Sequence, residues 1–245
     1  MSHPTLSGKT ALVTGGARRL GRAIALELAR AGTDVAVTCR TSLQEAQALA
    51  AEVERCGVRF LAVECDVRSE ASVRAAIAAV VSAFGRLDIL VNNAAVFESE
   101  PLDSLSIEAW DRVFETNARG PFLVAREALP WLKAARGRIV NIGSLGGLRP
   151  WATHAHYCAS KAALHMLTLS MAKAFAPEIG VNCIAPGFID FAENDAQDAA
   201  RFAQRTPMRR NGSAEDLARA VLFFVEGPAF ITGQILAVDG GLGLT

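Results

Sequence analysis

Tyr157 and Lys161 stand four residues apart in the run Tyr157-Cys158-Ala159-Ser160-Lys161, and Ser144 lies a short way upstream. On a helix, positions four apart project from one face, so the phenol and the ammonium would lie side by side. A phenol ionises near pKa ~10, too high to exchange protons readily at neutral pH. A neighbouring ammonium favours the phenolate and draws that value down toward the useful range. A serine hydroxyl beside the pair can hold a substrate oxygen while its carbon is attacked. The chemistry would be proton transfer to or from that oxygen. Tyr and Lys at this spacing also recur by chance on ordinary helices. What adds weight is that Tyr157 is the only tyrosine of the chain.

A second group of residues is built to hold a phosphate. The apolar run at 10–14 passes directly into Gly15-Gly16-Ala17-Arg18-Arg19-Leu20-Gly21 and then into a helical pattern. Glycines at such a turn admit a pyrophosphate close to the backbone, and the helix start offers free N–H groups and a favourable dipole. After the second strand run, an acid would bind the ribose 2′-hydroxyl of NAD, whereas an arginine accommodates the 2′-phosphate of NADP. The sequence there is Arg40-Thr41-Ser42, with no acid. Guanidinium groups suit phosphate because their donors form a rigid fork. Arg18, Arg19 and Arg40 around one phosphate site therefore favour NADP(H) over NAD(H); the alternative for each is a solvated surface arginine. Asp66, after the third strand run, is a candidate acceptor for an adenine amino group, or else a loop or helix-capping aspartate.

The elements that must position these residues alternate. Strand runs are expected at 10–14, 35–38, 60–64, 89–92, 138–142, 181–185 and 235–238. Most are apolar throughout, as strands covered on both faces are. Helical stretches fill the intervals and carry end signals. Gly32 and Gly85 stand where helices end. Ser69 is a candidate N-cap, and Ser213 with Asp216 reads as a capping box. Strict β/α alternation gives an α/β fold, a Rossmann-type doubly wound parallel sheet of about seven strands, with ligands at the strands' carboxyl ends.

Composition narrows the class. The 245 residues suit one domain, 1–245, with no linker, repeat or low-complexity tract to divide it. Acids and bases balance at 25 each, so no general attraction to nucleic acid or anionic lipid is expected. Five scattered cysteines without a CxxC pair fit reduced thiols in a cytoplasmic protein. No signal peptide or membrane-spanning run is expected. The four histidines show no metal-ligand spacing, and no metal is expected.

With these residues in view, the chain resembles the short-chain dehydrogenase/reductase family in its single-domain form, over essentially its whole length. The matching pieces are TGGARRLG (14–21), Asp66-Val67, NNAA (92–95), Asn117 in NARG, Ser144, YCASK (157–161), Pro186-Gly187 and ITGQILAVDGG near the end. Their order and spacing together are far more specific than any one of them. The resemblance implies a catalytic tetrad of Asn117, Ser144, Tyr157 and Lys161. In it Tyr157 is the general acid in reduction, Lys161 lowers its pKa and binds the nicotinamide ribose, Ser144 orients the carbonyl, and Asn117 holds a water in a proton relay. Asn93 and Ala94 would sit near the adenosine ribose, and Pro186, Gly187 and Ile189 along the nicotinamide. Asn117 also reads as a helix-kink amide and Asn93 as a strand-end tie.

Three positions depart from the family pattern. Arg19 replaces the usual second glycine, giving a TGxxxRxG loop similar to that of the NADPH-using pteridine reductases. NNAA replaces NNAG. Phe191 stands where many members place a threonine near the cofactor phosphates. Ser144, in turn, occupies a position where trypanosomatid pteridine reductases carry an aspartate.

A hydride transfer to a carbonyl or imine is the activity expected, with a pteridine-like or dihydrofolate-like ring as the first substrate reading. A 3-oxoacyl thioester of acyl-carrier protein, or a generic ketone, is the alternative. A non-catalytic dinucleotide sensor is the alternative of another class, disfavoured because all four tetrad positions are kept. The segment 188–212 would form a substrate lid, with Phe188, Phe191 and Phe202 among mixed charges. Trp151, His154 and His156 are candidate pocket residues. The resemblance further implies a homotetramer or homodimer, with interfaces at 103–133 and 157–176 and at the last strand.

Overall fold

In the computed structural model, described here for residues 6–191 and 193–245, seven strands form one sheet. They are β1 (Thr10–Thr14), β2 (Asp34–Cys39), β3 (Phe60–Glu64), β4 (Ile89–Asn92), β5 (Arg138–Ile142), β6 (Gly180–Pro186) and β7 (Ile235–Val238). Their order is β3-β2-β1-β4-β5-β6-β7 and every pairing is parallel. The expected strands fall in place; β2 and β6 each gain a residue at both ends, because Asp34 and Cys39, and Gly180 and Pro186, lie within the ladder or strand ends.

The helices are α1 (Arg19–Arg30), α2 (Leu43–Glu54), α3 (Glu70–Phe84), α4 (Ile107–Phe114), α5 (Gly120–Ala135), α6 (Ala155–Phe175), α7 (Ala196–Arg205) and α8 (Ala214–Glu226). They bury two separate cores, one on each face of the sheet. Ile24 and Leu28 of α1, Leu49 of α2 and Val221 of α8 pack on one face. Ile77 of α3, Val124 and Leu132 of α5 and Met171 of α6 pack on the other. Two covered faces account for the continuous apolar runs of β1 and β4, which carry no exposed residue.

The end signals act as expected. Ser69 accepts the Ser72 N–H at the start of α3, and Gly85 leaves that helix in the left-handed region with φ 77°. Ser213 and Asp216 form a reciprocal capping box on α8. Between α4 and α5 the chain makes a π-helical turn, Glu115–Arg119, which carries Asn117.

The strand order reverses between β1 and β4, where successive connections leave to opposite sides. A crevice at the carboxyl ends of the strands is the consequence. Gly15 after β1, Asn93 after β4, Ser144 after β5 and Gly187 after β6 all lie at that edge. No helix among the described residues is long and apolar enough to cross a membrane. The five cysteines are all free.

Candidate active site

One cleft of about 1250 Å³ runs along this edge. Its size exceeds the ~300–1,000 Å³ of an ordinary small-molecule site, as a site for two ligands should. At one end lie Gly15, Arg18, Arg19, Leu20, Gly21, Arg40, Thr41, Ser42, Asp66 and Val67. Asn93 and Ala94 follow, then Ser144, Tyr157, Lys161, Pro186, Gly187 and Ile189. Of the expected site and pocket residues, Asn117 and the fully buried His156 do not line it.

The glycine turn is shaped by close backbone approach. A Cβ on Gly21 would stand 2.3 Å from the Gly15 carbonyl oxygen, and one on Gly16 would stand 2.5 Å from Val37. Gly15 itself has φ +63° and packs against Ala94. Arg18 precedes α1 without a side-chain cap, so the first-turn N–H groups of α1 are left for an anion. These features fit the diphosphate of a dinucleotide. Gly21→Ala is expected to destabilise the fold by ~1–3 kcal/mol through overpacking. Thermal denaturation checks this, and an unchanged midpoint would show that the turn has slack.

Arg40 is exposed and, among the described residues, makes no hydrogen bond or salt bridge. Its charge helps to hold the Asp66 carboxyl down, but the larger cause is the Arg68 side chain. Arg68 donates to both Asp66 oxygens, at 2.6–3.1 Å, and its backbone N–H donates as well. Asp66 is thus a loop-capping aspartate at the cleft wall. Asn93 gives its amide to the carbonyls of Thr14 and Gly15, at 2.9 and 3.0 Å. It fastens the end of β4 to the glycine turn, the strand-end tie of the alternative reading.

Two departures from the family pattern meet in space. Arg19 keeps the left-handed backbone (φ 49°) at the position where glycine is usual. Its guanidinium lies over the Phe191 ring at 5.7 Å and 3.6 Å from Glu193. The substituted loop and the substituted residue after β6 are therefore partners, joining the nucleotide turn to the segment 188–212. The ends of that segment are bridged where Asp190 and Gly212 exchange backbone contacts with Gly212 and Phe188. Within it, α7 buries no residue, and Phe188 stacks on Phe202 at 4.4 Å.

At the chemical end, α6 presents Tyr157 and Lys161 one turn apart, as the spacing predicts. Lys161 is buried and donates from Nζ to the Ile142 carbonyl at 2.8 Å. Nζ lies 5.8 Å from the centre of the Tyr157 ring. Burial pulls the Lys161 ammonium down to about 8. Burial also pushes the Tyr157 phenol up to about 12, against a hydrogen bond with Ser144 that favours the phenolate. The expectation that Lys161 lowers the phenol below its ordinary value is not met: desolvation is the largest influence on Tyr157, and the Ser144 hydrogen bond is what opposes it. The physical consequence is a phenol that holds its proton at neutral pH and can serve as an acid.

Ser144 accepts the Gly146 N–H at 3.0 Å, and its O–H is directed to the Tyr157 phenol oxygen. Its backbone N–H points to Nε2 of the buried His165, at 3.4 Å. Burial, with the Lys161 charge beside it, holds His165 down to about 4 and hence neutral. His165 was not singled out in the sequence; its position four residues beyond Lys161 is the signal that places it on the same face.

Asn117 lies behind the cleft. Its Oδ1 accepts the Val96 N–H at 2.8 Å, and its Nδ2 donates to the Val96 carbonyl at 2.9 Å and to Ser160 Oγ at 3.1 Å. It ties the loop after β4 to α6, with the π-helical turn aiming it, and this matches the helix-kink reading. Phe97, which the sequence gave no reason to single out, reaches the cleft beside Tyr157, with Trp151 and His154 around it.

Comparison with known proteins agrees with this fold. The profile of a family described as enoyl-(acyl carrier protein) reductase matches residues 15–243. A 3-oxoacyl-[acyl-carrier-protein] reductase, FabG, of Staphylococcus aureus is 38% identical over 96% of this chain and 98% of its own length. The structure of a short-chain dehydrogenase/reductase from Serratia marcescens superposes with TM-score 0.93 at 38% identity, covering 98% of this chain and 100% of the other. A blue fluorescent protein from a metagenomic library, solved in complex with NADPH, superposes with TM-score 0.91 at 36% identity, covering 97% and 99%. With its sheet and its relatives in agreement, the chain belongs to the short-chain dehydrogenase/reductase family and is an oxidoreductase.

Proposed function

We propose that the protein reduces the ketone of a 3-oxoacyl thioester with NADPH, using Tyr157 as the general acid. The observation that carries the reading is the cleft itself: Arg40, without an ion pair among the described residues, at the ribose end, and a buried phenol beside Ser144 at the other. The cofactor supplies the hydride when bound. Ser144 donates to the ketone oxygen and holds it toward Tyr157, which delivers the proton as charge develops there. Lys161, held against the Ile142 carbonyl, stabilises the phenolate left behind. Arg40 engages the 2′-phosphate, and the first turn of α1 engages the diphosphate.

The thioester replaces the pteridine-like ring as the preferred substrate because the Staphylococcus aureus relative carries the 3-oxoacyl name and matches over 98% of its own length. The TGxxxRxG loop had favoured the ring, but Arg19 is occupied with Phe191 and Glu193 instead. Initial rates with an acetoacetyl thioester and with a dihydropterin decide between them. Faster turnover of the dihydropterin would reverse the assignment.

The pH profile follows from the site. Reduction needs the proton on Tyr157 and the charge on Lys161. With Lys161 titrating near 8 and Tyr157 near 12, kcat/KM for reduction is expected to be level through neutral pH and to fall as pH rises through about 8. A rate that climbs through that window would contradict these roles.

We also propose a homotetramer. Phe223 of α8, Leu236 of β7 and Phe230 of the connection between them are exposed, while Phe122, Trp131, Met166 and Leu169 are exposed on α5 and α6. Two separate apolar faces support two kinds of twofold contact. Size-exclusion chromatography with light scattering is expected to give four copies; a monomer would refute it.

A further inference from the structure

Around Tyr157 the cleft is lined by rings to a degree that a linear acyl chain does not require. Phe97 meets the Tyr157 ring edge-on at 4.8 Å and 87°. Its ring is also stacked on His154 at 4.8 Å and 22°. Trp151 lies nearly parallel to Tyr157, at 6.0 Å and 14°, and perpendicular to Phe97. The four rings form a corner with the reacting phenol in it.

Phe97 is the member with surface to spare. It is 62% exposed although it contacts Tyr157, Trp151 and His154, and it lines the cleft. An apolar ring held by three neighbours and left open on a cleft is a surface waiting for an apolar occupant. His154 supports this reading: burial holds its imidazole below the usual histidine range, so the ring stacked on Phe97 is uncharged near neutral pH. Across the cleft lining, the stacked pair Phe188 and Phe202 adds a further aromatic surface.

We propose that Phe97 is a specificity-determining residue that selects ketones carrying an aryl group on the carbonyl carbon, the ring of the substrate packing on Phe97 while its oxygen meets Tyr157 and Ser144. The proposal rests on the ketone reduction described above and narrows its substrate class. Offset stacking or edge-to-face contact places such a ring 4.5–7 Å from that of Phe97. An alkyl chain at the same place would cover Phe97 without the ring–ring contribution.

The test uses NADPH with three probes, the benzoylacetyl and acetoacetyl thioesters of N-acetylcysteamine, and acetophenone. Wild type is expected to favour the benzoylacetyl over the acetoacetyl thioester in kcat/KM by roughly tenfold, about 1.4 kcal/mol. Phe97→Leu, which keeps apolar bulk but removes the ring, should bring that ratio close to one. Phe97→Tyr, which keeps the ring, should restore it. Equal rates for the two thioesters in wild type, or a ratio unchanged in Phe97→Leu, would overturn the proposal while leaving thioester reduction standing. Turnover of acetophenone but of neither thioester would do the reverse, supporting the aryl preference and removing the thioester. Failure to reduce all three would remove both.

Discussion

Tyr157→Phe is expected to lower the rate of carbonyl reduction by ~10²–10⁴-fold, the usual worth of a positioned general acid, while NADPH still binds. The loss should fall on kcat, because the phenol acts when charge develops on the substrate oxygen. Packing gives no competing explanation. The ring remains, and with it the edge contact to Phe97 and the parallel contact to Trp151. What disappears is one hydroxyl, its hydrogen bond with Ser144 and the proton that burial keeps on it. Steady-state kinetics with a parallel cofactor titration reads both quantities. Activity within a few fold of wild type would assign the proton to another group, and loss of NADPH binding would make Tyr157 a cofactor anchor first.

Arg40→Ala should weaken NADPH by ~1.5–3 kcal/mol, the range for hydrogen bonds to charged groups, and leave NADH nearly unchanged. The lower end is the more consistent with an exposed guanidinium, whose interactions salt and water attenuate. Among the described residues no salt bridge is broken by the substitution, so the folded state should be indifferent to it. Thr41 and Ser42 remain behind it on the cleft wall to hold a ribose. Fluorescence titration with each nucleotide gives the two affinities. An equal loss for both would make Arg40 a structural residue, and no loss for either would shift the phosphate to Arg18 or Arg19.

Much of this was legible in the chain itself, for identifiable reasons. A parallel sheet covered on both faces leaves apolar runs, and those runs placed all seven strands. Glycine turns and capping residues are local devices, so Gly15, Gly21, Ser69, Gly85 and the Ser213–Asp216 box could be placed without tertiary information. The spacing of Tyr157 and Lys161 survives because an α-helix is rigid over one turn.

What was not legible depends on contacts between distant segments. The surroundings of Tyr157 come from two separate connections, the one after β4 that carries Phe97 and the one between β5 and α6 that carries Ser144 and Trp151. The commitment of Asp66 to Arg68 hides in a two-residue interval that no pattern flags. Asn117 is aimed by a π-helical turn that periodicity does not reveal. The meeting of Arg19 with Phe191 joins residues more than half the chain apart, and only the folded loop explains why both departures occur together. Phe97 gave no signal at all: it is a single phenylalanine after β4, and its role lies in the rings that surround it.

The most direct test of hydride transfer to a ketone follows the hydride itself. NADPH carrying deuterium at the transferable position of the nicotinamide is incubated with the protein and the acetoacetyl thioester, and the product is analysed by mass spectrometry. The expected product is a 3-hydroxy thioester with one deuterium on the former carbonyl carbon, formed by wild type and nearly absent with Tyr157→Phe. Product without the label, or NADPH bound with no product at all, would contradict the assignment of this cleft as a site that reduces 3-oxoacyl thioesters.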